Sequence, residues 1–270
     1  MNMKRMLALM MAAMLALSCF GVLAEVAAPE ASAVPEMTDQ ALPEDGETLV
    51  APTQEPGRLS GLKIGIDPGH QEHGNNGKET ISPKSKKTKP KVSSGTRGTK
   101  TKIPEYVTVL EIAFALRDAL VAEGAEVLMT RESHDVDISN QERAKMMNAW
   151  GADLVLRIHC DGTNKKSAKG IGLFVNKSYA ISAESKRAAQ CILPRMVEAT
   201  GAKKRAVYER DTYTGLNWSE VPCILVECGY LTNPDEDVKL NTPEYQRQLA
   251  DGMVAGICDY FGVSEPAQGE

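Results

Sequence analysis

Three short runs constrain this chain most: 62–67 (LKIGID), 153–159 (DLVLRIH) and 222–227 (PCILVE). Each is apolar almost throughout and closes on an acid or a histidine. A strand with one wet face alternates apolar and polar residues. A strand covered on both faces has no reason to, so these runs predict buried strands of a mostly parallel sheet. Helical patterns separate them, over 106–122, 139–150 and 181–200, with further strands at 126–130 and 171–176. Asn233-Pro234-Asp235-Glu236 and Thr242-Pro243-Glu244 each offer an N-cap, a proline at the first helical position and acids in the first turn, so two more helices start there. Short strands alternating with helices imply an α/β fold: a single domain with a central twisted, mostly parallel sheet flanked by helices on both faces.

In such sheets reactive side chains gather where strands end and loops leave the scaffold. The three runs lead into Asp67-Pro68-Gly69-His70, Arg157-Ile158-His159-Cys160-Asp161 and Glu227-Cys228-Gly229-Tyr230. The chain has only 4 histidines, and two of them stand at strand ends. Spacing argues against other reactive motifs. His70-Gln71-Glu72-His73 is not the helical His-Glu-x-x-His of zincins, and no Gly-x-Ser-x-Gly elbow occurs. Cys160 and Cys228 adjoin candidate site residues, and strand alternation turns them to the opposite side, where they pack. His73 reads as a loop residue or an extra ligand, and His134 as part of a solvated turn. Beyond residue 24 five cysteines remain, an odd number without a Cys-x-x-Cys pair, so no disulfide framework is implied.

With 31 Lys and Arg against 36 Asp and Glu, and only 5% aromatic residues, the chain as a whole is no nucleic-acid binder. The charge is unevenly placed. Residues 1–24 carry Lys4 and Arg5, an apolar run to Phe20 and then Val22-Leu23-Ala24, the pattern of a cleaved signal peptide; the run falls short of the ~20 apolar residues of a membrane span. A lipoprotein anchored through Cys19 is the other reading, against which Ala16 stands three positions before it. Residues 25–60 hold eight acids, one base and five prolines with no hydrophobic period, so they read as a disordered acidic linker. The folded domain is expected over 61–265. Inside it, 78–102 has nine Lys and Arg against one acid, Glu79. This basic loop insertion is read as either a solvated, mobile excursion or an attractor of an anionic polymer or of carboxylates.

Five stretches carry a resemblance: KIGIDPGHQ (63–71), IPEYVTVLEIAFALRDAL (103–120), VLMTRESHDVDISNQERA (127–144), ADLVLRIHCDG (152–162) and VPCILVECGYLTNPDED (221–237). Together, in this order, they resemble the secreted zinc-dependent N-acetylmuramoyl-L-alanine amidases, hydrolases of peptidoglycan. ERDTYTGLNWSEVP (209–222) is similar to the segment before the last strand in one branch. The resemblance implies a phosphorylase/hydrolase-like fold and one Zn2+ held by His, Glu and His, with a late glutamate as catalytic acid and base. On this sequence the metal ligands become His70, Glu105 and His159, and the catalytic residue Glu227. Glu111 competes with Glu105 but falls at a variable helical position of the family. Arg157 replaces the small residue of the commonest form; it is read as a substrate-carboxylate binder, a residue that orients a ligand, or half of a surface ion pair.

The chemistry of these residue types agrees. Hydrolytic zinc takes three N or O protein ligands and leaves a position open, and a carboxylate beside it moves protons. The expected reaction is hydrolysis of the amide between N-acetylmuramic acid and L-alanine of the stem peptide, by an exported monomer whose partner is peptidoglycan, with no nucleic acid and no stable membrane insertion after signal cleavage. Two alternatives stay open: a non-catalytic cell-wall binding or regulatory protein on the same fold, and a zinc peptidase cutting within the stem.

Overall fold

A computed structural model describes residues 57–263; the expected signal, 1–24, and the linker up to residue 56 lie outside the described residues. The chain runs through β1 (Lys63–Pro68), β2 (Asn75–Thr80), β3 (Thr88–Val92), α1 (Glu105–Ala122), β4 (Glu126–Met129), α2 (Asn140–Trp150) and β5 (Leu154–Asp161). It continues through β6 (Ile171–Val175), α3 (Ser182–Thr200), β7 (Lys204–Glu209), the single turn α4 (Thr214–Asn217), β8 (Cys223–Tyr230), α5 (Pro234–Leu240) and α6 (Pro243–Phe261). Six strands form one sheet in the order β4-β1-β5-β8-β6-β7. β4, β1, β5 and β8 are parallel; β6 runs antiparallel to β8 and carries β7 parallel to itself.

Strand alternation sorts the side chains into two cores. Ile64, Ile66, Leu156, Ile158, Val226 and Cys228 face α1, α3 and α6, against Leu116, Ile192 and Met253. Val155, Cys223, Leu225 and Phe174 face the other way, against Met147 of α2 and Leu216 of α4. Helices therefore cover both faces, as the unbroken apolar runs require. The capping signals act as read: Asn233 accepts from the backbone N–H of Asp235 and Glu236, and Thr242 from that of Tyr245. At α2 the Ser139 side chain accepts from the Glu142 N–H while Glu142 reaches back to the Ser139 N–H, a capping box.

Two expectations change. The basic stretch 78–102 is not an open loop: β2 and β3 form an antiparallel hairpin with Glu79 paired to Lys89. The hairpin is pinned to the domain. The Gln141 N–H donates to Glu79 Oε2 (3.0 Å), the Trp218 indole to the Thr80 carbonyl (3.0 Å) and the Asn217 amide to the Ile81 carbonyl (3.0 Å). Its return limb is held too, since the N–H groups of Lys100 and Thr101 donate to buried Asp237 at 2.6 and 2.8 Å. At the other boundary, the last residues read as linker belong to the fold: Leu59 is fully buried and Arg58 pairs with Glu123. Strand β7 and the turn α4 were not anticipated. β7 is the sheet's last strand and half polar, and α4 is too short to show a helical period.

Below the active edge lies a buried ionic cluster. Asp67, at the end of β1, meets Arg143 of α2 at 2.8 Å through one oxygen and Arg157 of β5 at 3.0 Å through the other, and accepts from the Thr130 hydroxyl at 2.6 Å. Burial opposes its charge, but the two guanidinium groups outweigh it and hold the Asp67 carboxyl well below the usual carboxylate range. A carboxyl depressed in the folded state stabilises at every pH above its unfolded value near ~4, and that contribution fades as pH falls below it. Asp67→Asn strands two buried arginines and should cost about 3–5 kcal/mol at neutral pH. Urea unfolding checks this: the variant's midpoint should be lower at pH 7, and its gap to wild type should narrow as pH drops below about 4.

Candidate active site

His70 leaves the end of β1, Glu105 opens α1 and His159 sits near the end of β5, and their side chains converge. His70 Nε2, His159 Nδ1 and Glu105 Oε1 stand 3.1 to 3.2 Å from one another. Four ligands placed tetrahedrally at the 2.0–2.1 Å typical of zinc would be separated by about 3.3 Å. The donor set fits in a second respect. His70 Nδ1 lies 2.8 Å from the Ser93 carbonyl, to which it donates, so in the neutral imidazole Nε2 presents a lone pair to the Glu105 oxygen. Burial pushes His159 down to about 4, against the pull of Glu105, so its imidazole is neutral at pH 7. Two lone pairs and a carboxylate oxygen in mutual contact repel unless a cation or proton lies between them. Among the described residues this is the one cluster of His, Cys, Asp or Glu with such geometry.

The surrounding chain holds each donor in place. His70 adopts φ 61°, a left-handed conformation disfavoured for a residue with a side chain. Arg143 holds it there by donating to the His70 carbonyl (3.0 Å) and the Pro68 carbonyl (2.8 Å), while Arg131 donates to the carbonyls of Pro68 (3.0 Å), Gly69 (2.9 Å) and Tyr106 (2.9 Å). Two arginines thus collect the whole Asp67-Pro68-Gly69-His70 turn. The Thr96 N–H donates to Glu105 Oε2 at 2.9 Å, the Glu105 N–H returns a bond to the Thr96 carbonyl, and the Cys160 N–H donates to Oε1 at 3.0 Å. Burial disfavours the charged form of Glu105, yet the His159 and His70 rings set against it hold its carboxyl well below the usual range. Gly95, at φ +80°, passes so close that a Cβ there would lie 2.7 Å from Glu105 Oε2 and 2.9 Å from the His70 ring. Ser93, Gly95 and Thr96 all come from the basic insertion, which thereby builds one wall of the centre.

These donors line a cleft of about 560 Å³ together with Glu227, Arg157, Lys89 and Tyr213. Glu227 pairs in register with His159 across β5 and β8. Its Oε2 is buried without a hydrogen-bond partner. Burial, then the charges of Glu105 and Asp161, push its carboxyl well above the usual range. Arg157 faces the cleft floor from the strand side that carries His159, but it is no surface ion pair: it is buried, paired with Asp67 and donating to the Asn140 side chain at 2.8 Å. Gly215 makes room for it, since a Cβ there would lie 1.7 Å from Arg157 Nη1. Glu111 is exposed and lines a groove between α1 and α6, away from the centre. His73 is exposed; the His134 ring packs edge-on against Tyr106, 5.2 Å between centroids, with Nδ1 buried. Cys160 and Cys228 are buried on the face covered by α1, α3 and α6; among the described cysteines, all free, Cys191 is only half-buried. The sequence does not mark Arg131, Arg143 or the 93–96 segment as part of the site: both arginines stand in polar runs, TRES and NQER, and the segment acts through its backbone.

Known proteins share both sequence and fold. The chain is 32% identical over 174 residues to the germination-specific N-acetylmuramoyl-L-alanine amidase of Bacillus subtilis, covering 59% of this chain and 72% of that protein. It is 28% identical over 226 residues to the N-acetylmuramoyl-L-alanine amidase Rv3717 of Mycobacterium tuberculosis, covering 79% and 92%. The crystal structure of the amidase Ami1 from Mycobacterium smegmatis superposes with a TM-score of 0.69 at 25% identity, over 76% of this chain and 98% of that one. The N-acetylmuramoyl-L-alanine amidase family profile matches residues 64–259, which span the sheet, all three donors and Glu227, and the chain belongs to that family of amidases.

Proposed function

We propose that this amidase hydrolyses the amide between the lactyl group of N-acetylmuramic acid and L-alanine of the stem peptide, with His70, Glu105 and His159 holding zinc and Glu227 moving the proton. The convergence of three lone-pair donors beside an unpartnered buried glutamate carries this reading. The chemistry a zinc ion supplies when bound is Lewis acidity, toward the scissile carbonyl and toward a water whose pKa falls to ~7. Glu227 takes a proton from the attacking water and delivers it to the departing L-alanine nitrogen, a role worth ~10² to 10⁴ in rate. Its burial keeps the proton from exchanging with bulk water between the two transfers. Asp67 acts at one remove, through the arginine that fixes the His70 turn. A relative from Staphylococcus aureus named as a probable cell wall amidase, together with the export signal expected over residues 1–24, supports action on the wall outside the cell.

Product analysis of the full chain on purified peptidoglycan tests the reaction. Metal-loaded protein should release stem peptides beginning with L-alanine; shortened stems still joined to muramic acid would make it a peptidase, and wall binding without release a non-catalytic protein. A chelator should abolish release, and zinc should restore it. Glu227→Gln should lose at least about 10²-fold in kcat while retaining a full equivalent of metal by elemental analysis. His159→Ala should lose both activity and metal. Gly95→Ala, which forces the 93–96 segment away from Glu105 and His70, should weaken zinc affinity about 10- to 100-fold in a competitive chelator titration.

A further inference from the structure

The cleft is electrically lopsided. The three donors and Glu227 occupy one part of it; Lys89 of β3 and Arg157 of β5 line another. Arg157 and Arg143 share the single carboxylate of Asp67, so this buried trio keeps one net positive charge, presented to the cleft by Arg157. Lys89 is half-buried, and its ammonium makes no hydrogen bond or ion pair among the described residues. Glu79 stands opposite it across the hairpin but does not close an ion pair. One Glu79 oxygen is taken by the Gln141 N–H and the other is buried without a hydrogen-bond partner, so the carboxylate attracts Lys89 and offsets part of its charge without an ion pair. Burial, then repulsion from Arg157, pushes the Lys89 amine down from the usual lysine range. Lys89, Arg157 and Arg143 set three positive charges against the two carboxylates of Asp67 and Glu79, and the surplus on this wall favours an anion in front of it.

We propose that Lys89, backed by Arg157, forms a subsite for a free carboxylate of the stem peptide and makes the enzyme discriminate acidic stems from amidated ones. The inference rests on the amidase reading above and deepens it. Stem peptides carry carboxylates that the scissile bond does not use: the α-carboxylate of a glutamate linked through its side chain at the second position, and that of a diamino acid at the third. Either can be presented as the amide, which keeps its size and loses its charge. The reach is suitable. Lys89 lies four residues before Ser93, whose carbonyl anchors His70, about 13 Å of extended chain. A stem of two to three residues spans about 7 to 10 Å at ~3.5 Å per residue, and the long lysine side chain covers the remainder. Lysine suits the task, since its point charge takes a carboxylate from several directions.

The test uses the full chain and synthetic muramyl peptides in matched pairs, carboxylate against carboxamide at the second residue and, separately, at the third. The quantity read is the ratio of kcat/KM within each pair for release of the L-alanine peptide. Wild type should prefer the carboxylate at one of the two positions by about 10- to 100-fold, the range of a hydrogen bond to a charged group, and the position identifies which carboxylate is held. In Lys89→Gln that ratio should collapse toward one through a rise in KM, and Lys89→Arg should keep most of it. A wild-type ratio near one at both positions, or a preference that survives in Lys89→Gln, overturns the subsite while leaving the amidase reading intact. Failure of metal-loaded wild type to release an L-alanine peptide from any substrate overturns the amidase reading, and the subsite with it.

Discussion

The site depends on one carboxylate shared by two arginines. Asp67 sits where β1 ends, in contact with α2 through Arg143 and with β5 through Arg157. Those two elements bring different parts of the centre: β5 carries His159, and α2 docks the hairpin by way of Asn140, whose amide donates to the Lys91 carbonyl. Arg143 then bonds the carbonyls of Pro68 and His70, which fixes the turn that Arg131 fixes from the other side. A left-handed His70 costs of order 1–2 kcal/mol, and it persists because this cluster leaves the turn no alternative. Buried ion pairs are poor sources of net stability, so the physical role of this one is specificity: it selects a single geometry for the histidine.

A run of nine basic residues would ordinarily repel itself into a solvated excursion. Here the segment is ordered by bonds that do not involve its charges. Backbone carbonyls of Thr80 and Ile81 take side-chain donors from α4 and the residue after it, and Asp237 collects N–H groups of the return limb. Lysines at 84, 86 and 87 remain exposed at the hairpin tip. What the segment contributes to the centre is backbone: the Ser93 carbonyl to His70 and the Thr96 N–H to Glu105. Such backbone contacts leave little sequence signature, because almost any side chain permits them.

That explains which parts were legible. The fold class could be read because burial on both faces erases alternation in β1, β5 and β8, and because Asn233 and Thr242 mark helix starts by local chemistry. His70, His159 and Glu227 could be located because strands of a parallel sheet end on one edge. Glu105 could not be placed by periodicity and came from resemblance; its approach to the histidines depends on how the return limb meets α1. Arg157 was visible as a charge on an inward face, but its partner is 90 residues away in sequence, so a surface pair and a buried one looked alike. β7 and the hairpin escaped because both are polar edge structures, held by pairing and by side chains from elsewhere.

The charges of the cleft bear on how such a centre works. Glu105, Glu227 and Asp161 crowd one region, and without a cation the repulsion falls on Glu227, the member whose oxygen Oε2 has no partner. Glu105 stays ionised because each of its oxygens accepts a backbone N–H, Oε2 from Thr96 and Oε1 from Cys160. The two glutamates are therefore pushed in opposite directions by the same burial, according to who bonds to them. Opposed shifts of this kind divide labour between a charge that stays fixed and a group that exchanges a proton. On the proposed reading a divalent cation at the donors would ease the repulsion and bring Glu227 back toward the range where it can both accept and give a proton near neutral pH. The positive wall at Lys89 and Arg157 lies outside that exchange, which leaves it available to orient the substrate.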